Sequence, residues 1–89
     1  MQQRNVTIAN KLGLHARAAA KLVTMASGYS SEIDIARNDQ SVNGKSIMGV
    51  MMLAASKGTE LVIRTSGDDE QEAADNLAKL VAEKFGEKE

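Results

Sequence analysis

The apolar residues of this chain fall into short blocks whose spacing switches between two and three-to-four. That alternation limits the folds open to it. Val6 and Ile8 alternate with Asn5 and Thr7, which predicts a half-buried strand over residues 2–8. Ala16, Ala19, Ala20, Val23 and Ala26 then recur at helical spacing, with Leu22 widening the face. Gly28 after Ser27 is the expected stop. Ile33 and Ile35 alternate with Glu32 and Asp34, and Asn38-Asp39 is a turn pair, so a short strand over Gln40–Val42 closes a hairpin. Ser46 precedes the apolar run Ile47, Met48, Val50, Met51, Met52 and Leu53, a short helix with serine at its N-cap. Leu61, Val62 and Ile63 form a fourth strand. Ala73, Leu77, Leu80, Val81 and Lys84/Phe85 mark a long amphipathic helix.

The start of that last helix has capping-box spacing, Asp68 with Gln71 or Asp69 with Glu72. Glu70 and Glu72 near its start and Lys84 near its end match the helix dipole. The order is therefore β-α-β-β-α-β-α. Alternating strands bury one sheet face and leave the other wet. The expected fold is α+β: a two-layer, open-faced sandwich, with a four-stranded sheet under its helices. At 89 residues the chain is expected to be one domain, 1–89.

Composition removes whole classes of function. There is no cysteine, hence no disulfide, thiol nucleophile or Cys-based metal site, and one histidine excludes a multi-His metal centre. A net charge of −1 gives no bulk drive toward nucleic acid or anionic lipid. Tyr29 and Phe85 are the only aromatics, too few to stack bases or sugars. No apolar run suits a membrane span, and the first residues lack a secretory signal's apolar region. A cytoplasmic protein without cofactor or metal is the expectation.

What remains is His15, at the junction of the first loop and the first helix. Free N–H groups of Ala16, Arg17 and Ala18 make an anion site there, and Arg17 adds a planar cation suited to phosphate oxygens. Imidazole is also a competent covalent nucleophile. The combination suits a phosphorylated histidine, although a surface histidine capping a helix leaves the same trace.

Two motifs carry a resemblance. Gly13-Leu14-His15-Ala16-Arg17-Ala18-Ala19 is similar to the active-site segment of the HPr family. These are the histidine-containing phosphocarriers of the bacterial phosphoenolpyruvate-dependent phosphotransferase system. Asn43-Gly44-Lys45-Ser46-Ile47-Met48-Gly49-Val50-Met51 resembles its second signature, around a regulatory serine, and Lys57-Gly58-Thr59 fits its turn into the last strand. The resemblance implies an antiparallel sheet with three helices on one face. It implies that enzyme I phosphorylates His15 at Nδ1, that Arg17 orients the phosphoryl group, and that enzyme IIA domains receive it. It also implies a protein substrate rather than a turnover enzyme. Most members carry proline where this chain has Ala18. Alanine restores an N–H donor to the first helical turn, and the motif is also compatible with the nitrogen-related branch.

Ser46 reads as a plain N-cap, and by resemblance as a target of HPr kinase/phosphorylase. The short helix has more apolar residues than one stripe can bury. Val50 and Leu53 are expected in the core. Ile47, Met48 and Met51 are expected partly exposed near His15, as an adaptable docking surface for several partners. Lys11, Lys21 and Lys45 are candidate rim charges, and Gly86-Glu87-Lys88-Glu89 is expected to be a frayed tail. The expected state is a monomer. Beside the carrier reading stands a regulatory binding module of the same fold, read through His15 or Ser46. A hydrolase or nuclease is rejected: no second general base lies near His15 in sequence, there is no metal set, and there is too little chain for a deep pocket.

Overall fold

The computed structural model describes residues 1–89. Its strands are β1 (Gln2–Thr7), β2 (Glu32–Arg37), β3 (Gln40–Asn43) and β4 (Glu60–Ser66), and its helices are α1 (Ala16–Ser27), α2 (Ile47–Met52) and α3 (Glu70–Ala82). The strands form one antiparallel sheet in the order β1-β4-β2-β3. The expected order and layer architecture are found, and the three helices share one face of the sheet.

Alternation sets the register. Ile35 stands opposite Ile63 and Ile33 opposite Thr65, so the buried residues of β2 and β4 meet on the helix side. On β1 the corresponding face carries Gln2, Arg4 and Val6. Arg4 ties it to α3 through two guanidinium hydrogen bonds to Asp75 Oδ1, at 3.1 and 2.9 Å. Strand β1 ends at Thr7, but Ile8 continues its pairing through Thr59 O and the Gly58 N–H. One apolar cluster runs from Ile8 through Leu22, Ile35, Val50 and Leu77 to Phe85.

Three expectations change. First, the buried face of α1 is Ala18, Ala19, Leu22 and Ala26; Ala16 is exposed, and Ala20 and Val23 are half-buried. The segment is so rich in alanine that side-chain size does little to phase the stripe. Second, no capping box forms at α3. Asp69 occupies the N-cap position but turns its carboxylate to the N–H groups of Ser30 and Ser31 and to the Ser31 hydroxyl, at 2.9, 3.0 and 2.5 Å. The Ser31 hydroxyl, then the Ser30 N–H, hold its carboxyl at about 2. Asp69 therefore anchors the start of α3 to the entrance of β2.

Third, the last helix stops at Ala82, short of the expected Lys84/Phe85 and with Lys79 as the basic residue of its last turn, and the tail beyond it is not frayed. After α3, Lys84, Phe85 and Gly86 all have positive φ, 58°, 56° and 80°, in a short 3₁₀ turn. This turn drives Phe85 fully into the core. The Lys21 ammonium donates to the Phe85 carbonyl at 2.7 Å, and the Lys11 N–H donates to the Glu89 carbonyl. The chain thus returns from the far end of α3 to the loop before α1.

Candidate functional site

The loop before α1 is shaped from inside. Asn10 is completely buried, and its amide nitrogen donates to the Gly13 carbonyl at 2.8 Å. The Leu14 N–H donates to Ala55 O at 2.8 Å and the Leu14 side chain is buried. Gly13 turns between them at φ 69°. A Cβ there would stand 2.6 Å from Ala55 O, so only glycine fits. The next residue, His15, is thereby fixed as the N-cap of α1.

The two ring nitrogens of His15 face different partners. Nδ1 accepts the Arg17 N–H at 3.2 Å, as N-cap side chains do. Nε2 lies 2.5 Å from Glu87 Oε2. An N–H points at Nδ1 and an acceptor-only carboxylate at Nε2, which assigns the proton to Nε2 and the free lone pair to Nδ1. Glu87 is held in turn by the Asn10 amide, at 3.0 Å from its Oε1. That hydrogen bond, with a smaller contribution from His15, keeps the Glu87 carboxyl below the usual carboxylate range against the opposing effect of burial.

Around the ring opens a cleft of about 600 Å³, lined by Lys11, Leu12, Arg17, Glu87, Lys88 and Glu89 as well as His15. Arg17 is exposed and no carboxylate pairs with it. The N–H groups of Ala16 and Ala18 have no acceptor within the chain. The cleft therefore combines a nucleophilic nitrogen, an available guanidinium and helix N-terminal donors, a set matched to a tetrahedral oxyanion.

The other sequence-derived candidates distribute differently. Ser46 caps α2, accepting the Gly49 N–H at 3.2 Å. Val50 and Leu53 are buried, whereas Ile47, Met48 and Met51 are exposed, Met48 most of all at 75%. Met52 is exposed too. Helix α2 packs against α1. Of the three lysines, only Lys11 lines the cleft; Lys21 is held by the tail, and Lys45 donates to the Tyr29 carbonyl at 2.7 Å.

Three residues of the site escaped the sequence reading. Leu12 is 71% exposed in the cleft wall, an apolar side chain in what reads as a plain loop. Asn10 and Glu87 are polar residues in a loop and a tail, with no local pattern to single them out. A usable signal was Phe85-Gly86, since the chain's only phenylalanine directly before a glycine argues for an anchored turn.

Comparison with known proteins agrees with this arrangement. The family model described as PTS HPr component phosphorylation site matches residues 2–83. The chain belongs to the HPr family. It is 55% identical over 89 residues to the phosphocarrier protein HPr of Cupriavidus necator, covering 100% of both chains. It is 41% identical over 85 residues to the phosphocarrier protein NPr of Shewanella violacea, covering 96% of this chain and 93% of that one. Among solved structures, HPr-C-His from Thermoanaerobacter tengcongensis superimposes with a TM-score of 0.96 at 45% identity, covering 100% of each chain. An HPr dimer from the same organism matches at 0.78 and 46% identity, over 98% of this chain and 100% of that one. HPr proteins are phosphocarriers of the phosphotransferase system, and their partners are proteins of that system.

Proposed function

We propose that this chain, a single domain over residues 1–89, takes a phosphoryl group from phospho-enzyme I onto Nδ1 of His15. Enzyme I draws the group from phosphoenolpyruvate, and enzyme IIA domains receive it. The observation that carries this reading is the pair of contacts on the ring. The Arg17 N–H leaves Nδ1 as the lone-pair nitrogen, and Glu87 takes up the Nε2 side. An incoming phosphoryl group takes the Nδ1 lone pair and displaces the Arg17 N–H onto its own oxygens. The Ala16 and Ala18 N–H groups and the Arg17 guanidinium supply the remaining donors. The protein is then a substrate cycled by others, not a turnover catalyst.

The exposed Leu12, Ile47, Met48 and Met51 give an adaptable apolar surface suited to a carrier that meets dissimilar partners. Ser46, at an N-cap, is placed where a phosphate from an HPr kinase/phosphorylase would be tolerated by the helix and would oppose an acidic partner. No helix is long and apolar enough to cross a membrane, and a cytoplasmic monomer is part of the same reading. Higher identity to the carrier named HPr than to the one named NPr favours the sugar branch.

The experiment is phosphorylation by purified enzyme I and phosphoenolpyruvate, read by intact mass, with His15→Ala beside it. One acid-labile phosphate, absent from the variant, is expected. No gain with enzyme I, but a gain with the nitrogen-branch donor, would move the protein to that branch. A phosphate retained in His15→Ala would overturn the site.

A further inference from the structure

We propose that Glu87 is a positioning residue for phosphoryl transfer: its carboxylate holds the proton on Nε2 of His15 and balances the ring's positive charge while Nδ1 is phosphorylated. The proposal rests on His15 as the acceptor.

The geometry that supports it is built rather than incidental. Glu87 Oε2 is 2.5 Å from Nε2, and Oε1 is fixed by the fully buried Asn10. The left-handed turn at Lys84–Gly86, buried Phe85, and the Lys21 and Lys11 bonds to the Phe85 and Glu89 carbonyls bring the carboxylate there. The Glu87 side chain is only 18% exposed, so its charge acts on the ring with reduced screening.

The chemistry gives that charge a task. In the forward step the Nδ1 lone pair attacks phosphorus, the bond between phosphorus and the donor atom breaks, and the donor atom takes that electron pair. Nε2 keeps its proton, so the phosphorylated ring becomes a cation facing a carboxylate. In the return step the P–Nδ1 bond breaks and its electrons return to Nδ1. Because Nε2 still holds its proton, the departing group is neutral imidazole rather than an imidazolide anion. Without the carboxylate the phosphorylated ring loses that proton at lower pH and becomes a poor phosphoryl donor. Other charges face the ring from the same cleft: Lys11 from the loop, Arg17 from α1, and Lys88 and Glu89 from the tail, with Lys21 of α1 held at the Phe85 carbonyl. Only Glu87 bonds Nε2.

The test uses the full chain phosphorylated by enzyme I, with acid-labile phosphate followed by intact mass across pH 5–10. Water attack releases inorganic phosphate fastest when the ring is protonated, so the rate profile reports the Nε2 proton. Replacing the carboxylate by Glu87→Gln is expected to move the midpoint down by about one pH unit, since an opposite charge in contact shifts a titration by about 1–3 units. Between the two midpoints the variant then loses phosphate up to about tenfold more slowly. Glu83→Gln, an exposed position with the same change of charge, is expected to leave the profile in place. Melting curves verify that Glu87→Gln is folded. An unchanged profile in a folded, phosphorylated Glu87→Gln overturns the role of Glu87 and leaves His15 intact. A wild-type chain that takes no phosphate on His15 overturns both readings.

Discussion

Gly13 and Gly58 separate two effects that are usually confounded, and their alanine variants give a quantitative test of how the loop before His15 is held. Both glycines have positive φ, 69° and 91°. An alanine at either position meets a left-handed penalty of about 1–2 kcal/mol, offset by about 0.4–1 kcal/mol from a less flexible unfolded chain. They differ in their surroundings. A Cβ on Gly58 meets nothing within 4 Å, whereas one on Gly13 lies 2.6 Å from Ala55 O and 2.8 Å from the Ser56 Cα. These are backbone atoms and cannot swing aside. Relief requires the loop to move off residues 55–56, straining the Leu14 N–H bond to Ala55 O and the Asn10 bond to Gly13 O. Overpacking of this kind costs about 1–3 kcal/mol, and each weakened hydrogen bond about 0.5–1.5 kcal/mol. Gly13→Ala should therefore lose about 2–3 kcal/mol more than Gly58→Ala. For a domain of this size that excess lowers the melting temperature by a further 8–24 °C, about 4–8 °C per kcal/mol. Far-UV circular dichroism during heating and urea titration measures both variants. Melting temperatures within about 4 °C of each other, an excess of at most about 1 kcal/mol, would refute the reasoning, because the backbone at residues 55–56 would then be yielding freely.

Three further outcomes are expected. Phe85→Ala should cost about 3–5 kcal/mol in urea unfolding, as for a fully buried ring, where a frayed tail would give almost nothing. Asp69 has a folded-state carboxyl at about 2 against 3.8 for the free group, so the folded protein binds fewer protons between those values. Its contribution is complete above about pH 4 and is lost as pH falls toward 2, and Asp69→Asn should flatten that part of the stability–pH curve. Met48→Asp, at an exposed position, should change stability by less than about 0.5 kcal/mol while slowing phosphate uptake from enzyme I; uptake at the wild-type rate would remove Met48 from the docking surface.

Local pattern carried most of the fold. Ile33 and Ile35 are buried between exposed Glu32 and Asp34, as alternation requires, and Ser46 caps α2 as its place before an apolar run indicates. The failures occurred where the deciding partner is remote or the residues are too alike. The face of α1 was misphased because alanines differ little from one another in apolar surface, so Ala18 rather than Ala16 went inward. Asp69 has the right spacing for a capping box, yet three donors at Ser30 and Ser31 compete for its carboxylate and win. Those donors lie 38 and 39 residues away in sequence, beyond any window of periodicity.

The histidine shows the same division within one side chain. Its Nδ1 contact is to Arg17, two residues away, and follows from His15 preceding a helix. That half of the site is legible in Gly13–Ala19. Its Nε2 contact is to Glu87, which depends on three left-handed residues and a buried phenylalanine at the other end of the chain. No local rule predicts that turn, because Lys84 and Phe85 adopt a conformation their own preferences oppose. The burial of Phe85 and the Lys21 bond to its carbonyl compensate for the strain, and both exist only once α1 and α3 are packed. The nitrogen proposed to take the phosphoryl group is thus set by local sequence, and the proton on the opposite nitrogen by the completed fold. Unfastening the tail should then alter how the ring holds and releases phosphate before it alters which nitrogen receives it.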